Sequence, residues 1–173
     1  MTAALPEVWL RGPLPDVPPL LQPVAHSLLQ CREEVDAKLS ALDAAQLVTR
    51  PGGAASIAFH LTHAMGSLDR LLTYARGEHL SDAQLAALRA ESGVEAATQG
   101  GAVLARRFDA AVEEALVQVR ATPERELLAA REVGRARLPS TVIGLLFHSA
   151  EHTQRHVGQA VTTARIVLEA THG

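Results

Sequence analysis

Histidine is the residue type in this chain whose spacing could support chemistry. Five of the eight histidines lie in two groups, His60 with His63 and His148 with His152 and His156. A helix places residues four apart on the same side, so the second group would form one stripe along a single helix. Neutral imidazole nitrogens bind divalent metal ions. The two groups together therefore predict a metal site shared between two helices.

Such a site would leave part of the ion uncovered. Two ligands four residues apart on one helix and one ligand from a neighbouring helix make three protein ligands, and water or substrate takes the remaining positions. An ion held in this way lowers the pKa of a bound water or thiol and polarises a substrate oxygen. The donor set fits zinc, nickel, iron, cobalt or manganese and does not select among them.

The residues alone favour His60 over His63 as the ligand from the upstream helix. Hydrophobic periodicity places His60 near the middle of the apolar face of that helix and His63 further round its edge.

A second interpretation of the histidines comes from His148-Ser-Ala-Glu151-His152, which matches the H-x-x-E-H motif of inverzincin peptidases. Those enzymes carry the motif in large mixed α and β domains, whereas this chain is short, so this is the weaker hypothesis.

Composition indicates one all-α domain. The chain has 173 residues, of which 47% are hydrophobic and only 3% aromatic, a balance typical of helices packed on helices. Apolar residues recur at helical spacing over residues 19–42, from Ile57 to Ala75 before Gly77, over 101–120, and from Ser140 or Thr141 nearly to the end. These patterns predict a four-helix bundle with an additional short helix at 83–90 and no strand.

The remaining features define the surroundings of this bundle. Five prolines within residues 1–19 predict an extended N-terminal arm, anchored by Trp9 and Leu10. A formal net charge of −3 without a basic stripe argues against nucleic-acid binding. The absence of a long apolar run, of a signal-peptide pattern and of any second cysteine beside Cys31 predicts a cytoplasmic protein with no membrane partner.

Two segments carry a resemblance to a known family. They are Ser56-Ile-Ala-Phe-His-Leu-Thr-His63-Ala-Met-Gly-Ser-Leu-Asp-Arg-Leu-Leu and Glu151-His152-Thr-Gln-Arg-His156-Val-Gly-Gln159. The chain resembles the DinB-like superfamily of damage-inducible and thiol-transferase-related proteins over most of residues 20–170. Beyond the proline-rich arm at 1–19, the resemblance implies a single DinB-like bundle at 20–173 and a histidine-rich site for a divalent metal.

The resemblance also implies residue roles. It assigns the metal ligands to His63, His152 and His156, against the periodicity that favours His60. His60, His148, Glu151 and Gln159 then become candidates for contacts to the ligands or for alternative ligation.

Characterised members of the superfamily are metal-dependent transferases or isomerases that use low-molecular-weight thiols such as bacillithiol and mycothiol, and homodimers are common among them. The function expected from the resemblance is a thiol S-transferase that acts on a small molecule and uses a divalent metal to activate the thiol or water. The alternatives are a non-catalytic metal-binding module for stress response or dimerisation, and a helical ligand binder without metal.

Overall fold

The computed structural model describes residues 5–93 and 98–172. Four long helices and two short ones account for most of this part of the chain. In chain order they are α1 (Gln22–Leu39), α2 (Ala44–Val48), α3 (Ile57–Ala75), α4 (Asp82–Ala90), α5 (Gly101–Ala121) and α6 (Val142–His172). None of these helices is both long and apolar enough to cross a lipid bilayer.

The long helices form a closed bundle, as predicted. Helix α6 packs between α1 and α3, and α5 closes the other side against the same two helices. Burial of one apolar face from each helix supplies the main stabilising free energy of such a bundle. The fully buried side chains at its centre include Leu28, Leu61, Phe108, Leu116 and Leu146.

Local capping fixes the ends of the helices that carry the histidines. The backbone N–H of Phe59 donates to Oγ of Ser56 at 3.1 Å, which caps the start of α3. At its other end Gly77 has φ +79°, and its N–H and that of Glu78 return to carbonyls of the last turn, as in a Schellman motif. Helix α6 begins where Gly144 N–H donates to Oγ1 of Thr141 at 3.1 Å.

The start of α5 lies in close contact with the backbone at the end of α1. The backbone N–H of Gly101 donates to the carbonyl of Leu42 at 2.8 Å, just beyond the end of α1. A Cβ at position 101 would lie 2.1 Å from the carbonyl oxygen of Leu39. Only glycine therefore allows α5 to begin at this point.

The expectation of no strand was wrong. Strands β1 (Ala130–Val133) and β2 (Leu138–Thr141) pair antiparallel in the connection between α5 and α6. Arg131 of this hairpin donates from Nε to the carbonyl of Ala75 at 2.8 Å, which ties it to the end of α3. The short helix α2, which begins with a capping box between Asp43 and Gln46, was also not predicted.

The N-terminal arm is irregular with one 3-10 turn at Val8–Arg11, and residues 1–4 of it lie outside the described residues. The expectation that Trp9 and Leu10 anchor it was wrong, because these side chains are 61% and 57% exposed. Val8 is buried instead, and Arg11 donates from both terminal nitrogens to the Glu33 carboxylate at 2.6 and 2.7 Å. A side-chain ion pair therefore holds the arm where the aromatic ring was expected to do so.

Candidate metal centre

Helices α3 and α6 bring three histidines together on their facing sides. His63 from α3 and His152 and His156 from α6 each offer a ring nitrogen, and these three atoms lie within 4.8 Å of one another. Nε2 of His63 and Nε2 of His152 are 3.1 Å apart. Two nitrogens bound to one zinc at about 2.1 Å with tetrahedral angles would be about 3.4 Å apart, so this spacing fits a shared ion.

A buried carboxylate lies behind the first of these rings. Nδ1 of His63 donates to Oε2 of Glu91 at 2.7 Å, and Nη1 of Arg70 donates to Oε1 of the same carboxylate at 2.6 Å. A neutral ring that donates from Nδ1 carries on Nε2 the lone pair that a metal needs. Metal-bound histidines usually make such a contact with a carboxylate.

His156 has a comparable contact through a different residue. Its Nδ1 lies 3.1 Å from Nδ1 of His60, so one of these rings donates to the other. If His156 is the donor, its Nε2 is free to bind an ion. Nδ1 of His152 is buried and has no hydrogen-bond partner among the described residues.

The surroundings of His60, His152 and His156 favour the neutral form of these rings, which is the form that binds a metal. Burial lowers the pKa of His156 to about 4, and the neighbouring His63 and His152 rings act in the same direction. Burial, followed by the charge of His63, also lowers the pKa of His60 and of His152. The chemistry of the donor set therefore fits a divalent cation.

The remaining predicted residues lie at the margin. The His148 ring is half exposed; its Nδ1 lies 3.2 Å from Oε2 of Glu151, and it is outside the group of three. Glu151 also pairs with Arg155 one turn along α6. Gln159 is exposed and makes no hydrogen bond with the histidines in the described part of the chain. Of the four residues proposed to surround the ligands, His60 alone hydrogen-bonds one of them there.

Comparison with known proteins identifies the family. The family model of the DinB superfamily matches residues 27–160. The chain belongs to the DinB superfamily. A solved structure described as the conserved protein of a locus from Enterococcus faecalis shares its fold, with a TM-score of 0.68 and 17% identity over 87% of this chain and 98% of that chain. No curated protein sequence matches this one.

For this DinB-superfamily chain, the structure groups His63 rather than His60 with the two histidines of α6. That these three residues bind a metal stays a prediction. Sequence reasoning missed Glu91 and Arg70. A signal was present on α3, since Gly66 and Arg70 follow His63 by three and seven residues and so lie on its face of the helix.

Proposed function

We propose that this protein is a divalent-metal-dependent enzyme of the thiol S-transferase type. The observation that carries the proposal is the convergence of His63, His152 and His156 between α3 and α6. These three residues would hold the ion, and family membership supports a metal site there. When bound, the ion would supply Lewis acidity and lower the pKa of a thiol or water.

The chain itself does not offer a reactive thiol. Cys31 is buried within α1, and burial raises its pKa to about 12. A thiolate nucleophile would therefore have to come from a small-molecule co-substrate. The protein's own residues would hold the imidazoles in place and orient them, a role that the contacts of His63 with Glu91 and of His156 with His60 support.

The peptidase alternative receives less support. An inverzincin site would use His148 and His152 as ligands and Glu151 as general base. His148 lies outside the group of three, and the Glu151 carboxylate is paired with His148 and Arg155. The variant His148→Ala separates the two assignments, since we expect it to retain metal whereas a peptidase site would lose it.

Metal content is the first test of the proposal. Protein purified without a histidine tag and supplied with divalent ions should contain about one ion per chain by elemental analysis. We expect the double variant His152→Ala, His156→Ala to lose it, and the control variant His79→Ala, at an exposed position, to retain it. Equal metal content in all three proteins would refute the site.

Catalysis is tested separately with a panel of low-molecular-weight thiols and a generic electrophile. We expect turnover that stops on addition of a chelator and returns when the metal is restored. Metal binding without turnover for any thiol would favour the alternative of a non-catalytic metal-binding module for stress response or dimerisation. We also propose a homodimer, which sedimentation analysis would test against a monomer.

A further inference from the structure

The Glu91 side chain occupies a site built for it on α3. Its carboxylate contacts His63 through Oε2 and Arg70 through Oε1, at 2.7 and 2.6 Å. Glu91 and Arg70 are only 7% and 9% exposed. Between them a Cβ at Gly66 would lie 2.5 Å from Oε1, so the glycine leaves the space that the carboxylate fills. Three positions on one face of α3 thus hold a carboxylate that arrives from the end of α4.

The two oxygens of this carboxylate have different partners, and both partners are donors. A guanidinium has no acceptor, so Arg70 needs an oxygen from residue 91. The second oxygen is then the acceptor for Nδ1–H of His63. This arrangement leaves the lone pair of His63 on Nε2, which points towards Nε2 of His152.

We propose that Glu91 is a positioning residue, which together with Arg70 fixes His63 in the tautomer that presents Nε2 to the metal. The functional significance of this tautomer rests on the proposed metal binding. The tautomer itself is a property of the metal-free protein. The two can therefore be tested separately.

The proposal makes an unusual prediction for Glu91→Gln. A glutamine side chain has one oxygen and one NH₂ group. Arg70 requires the oxygen, so the NH₂ would face His63 and donate to Nδ1. The proton of the neutral ring would then move to Nε2 and block the ligand atom. An otherwise conservative substitution should thus switch the tautomer rather than only remove a charge.

The first experiment reads the tautomer by long-range ¹H–¹⁵N correlation NMR of the imidazole rings at about pH 8, where an ordinary histidine is neutral. The signals of His63 are identified by their loss in His63→Asn. We expect metal-free wild type to carry its proton on Nδ1 and Glu91→Gln to carry it on Nε2. A wild-type ring protonated on Nε2 would overturn the proposal.

The second experiment measures metal affinity by competition of Co²⁺ with a chromophoric chelator. We expect Glu91→Gln to weaken binding about 10–100-fold, the range typical of lost contacts behind a ligand. The matched control is Glu78→Gln, since Glu78 pairs with Arg76 at 2.8 Å but is on the surface. Equal affinity of Glu91→Gln and wild type would contradict the inference.

A rescue variant separates positioning from general damage to the fold. In Glu91→Gln combined with Arg70→Glu, the carboxylate at position 70 can only accept, so it takes the NH₂ at position 91. The oxygen at position 91 then faces His63 again. We expect the Nδ1–H tautomer and most of the Co²⁺ affinity to return, although the charge at position 91 has been removed and that at position 70 reversed. No recovery in a folded double variant would refute the role of Arg70.

The outcomes also distinguish this inference from the proposed function. If wild type binds no Co²⁺ but shows the expected tautomers, the metal site fails and the role of Glu91 in orienting His63 stands. If wild type binds Co²⁺ and the tautomer does not respond to Glu91→Gln, the inference alone fails.

Discussion

Gly66→Ala tests the carboxylate site on α3 through protein stability. A new Cβ would lie 2.5 Å from Oε1 of Glu91 and 2.8 Å from Nη1 of Arg70, whereas real Cβ atoms essentially never come closer than 3.0 Å. The carboxylate must therefore retreat by at least about 0.5 Å. Because Oε1 and Nη1 are the ends of flexible side chains, the movement would disturb the 2.7 Å contact of the carboxylate with His63 and its 2.6 Å contact with Arg70.

The matched control is Gly158→Ala on α6. Position 158 is exposed, and a Cβ there meets nothing within 4 Å. Both substitutions gain the helix propensity of alanine, about 1 kcal/mol in the interior of a helix. That gain cancels in the comparison, so the difference between the two variants isolates the collision, which we expect to be about 1–3 kcal/mol.

Urea unfolding of the metal-free proteins measures this difference directly. We expect Gly158→Ala to be more stable than wild type and Gly66→Ala to be less stable than Gly158→Ala. Each kcal/mol corresponds to about 2–4 °C in melting temperature for a chain of this size. We also expect Gly66→Ala alone to weaken Co²⁺ binding. Equal unfolding free energies for the two variants would refute the described packing around Glu91.

Three further predictions concern acid, packing and capping. Metal-free protein should lose stability as the pH falls below about 6.5, because His60, His152 and His156 have lowered pKa values in the folded state and bind protons more readily in the unfolded chain. The loss should continue to about pH 4, the pKa of His156 in the folded state, and a flat pH profile in urea unfolding would contradict it. Gly101→Ala should destabilise by about 3 kcal/mol or more, because the obstacle is the backbone carbonyl of Leu39; an unchanged melting temperature would refute that close approach. Ser81→Ala removes the capping box of α4 and should cost about 1 kcal/mol, with faster amide hydrogen exchange confined to α4.

The four long helices and α4 could be predicted because their signals are local. Ser56 and Ser81 cap the helices that follow them, and Gly77 adopts the left-handed conformation that ends α3. The hairpin could not be predicted in the same way, because each strand has four residues and Pro139 interrupts the donors of the second. In the fold the hairpin contacts the ends of α3 and α6, which lie far from it in the sequence or beyond its second strand.

The candidate site was predictable only in part, because some of its residues are related by spacing along one helix and others only by the packing of different helices. Spacing along α6 placed His152 and His156 on one face. The choice between His60 and His63 depends on the rotation of α3 against α6, and His60, although more buried, contacts His156 from the side. Glu91 has no periodic relation to His63, since a turn and the whole of α4 separate them. Only the docking of α4 on α3 brings the two side chains together.

The burial of Cys31 has a practical consequence for experiments on this chain. The side chain lies in the core and is 1% exposed, and it is the chain's only cysteine. A thiol-specific reagent added from outside can therefore modify the protein only when α1 opens. The rate of modification, followed by mass spectrometry, measures the population of open molecules without any introduced probe. The same isolation means that external thiols can be assayed with the folded protein without forming mixed disulfides with it.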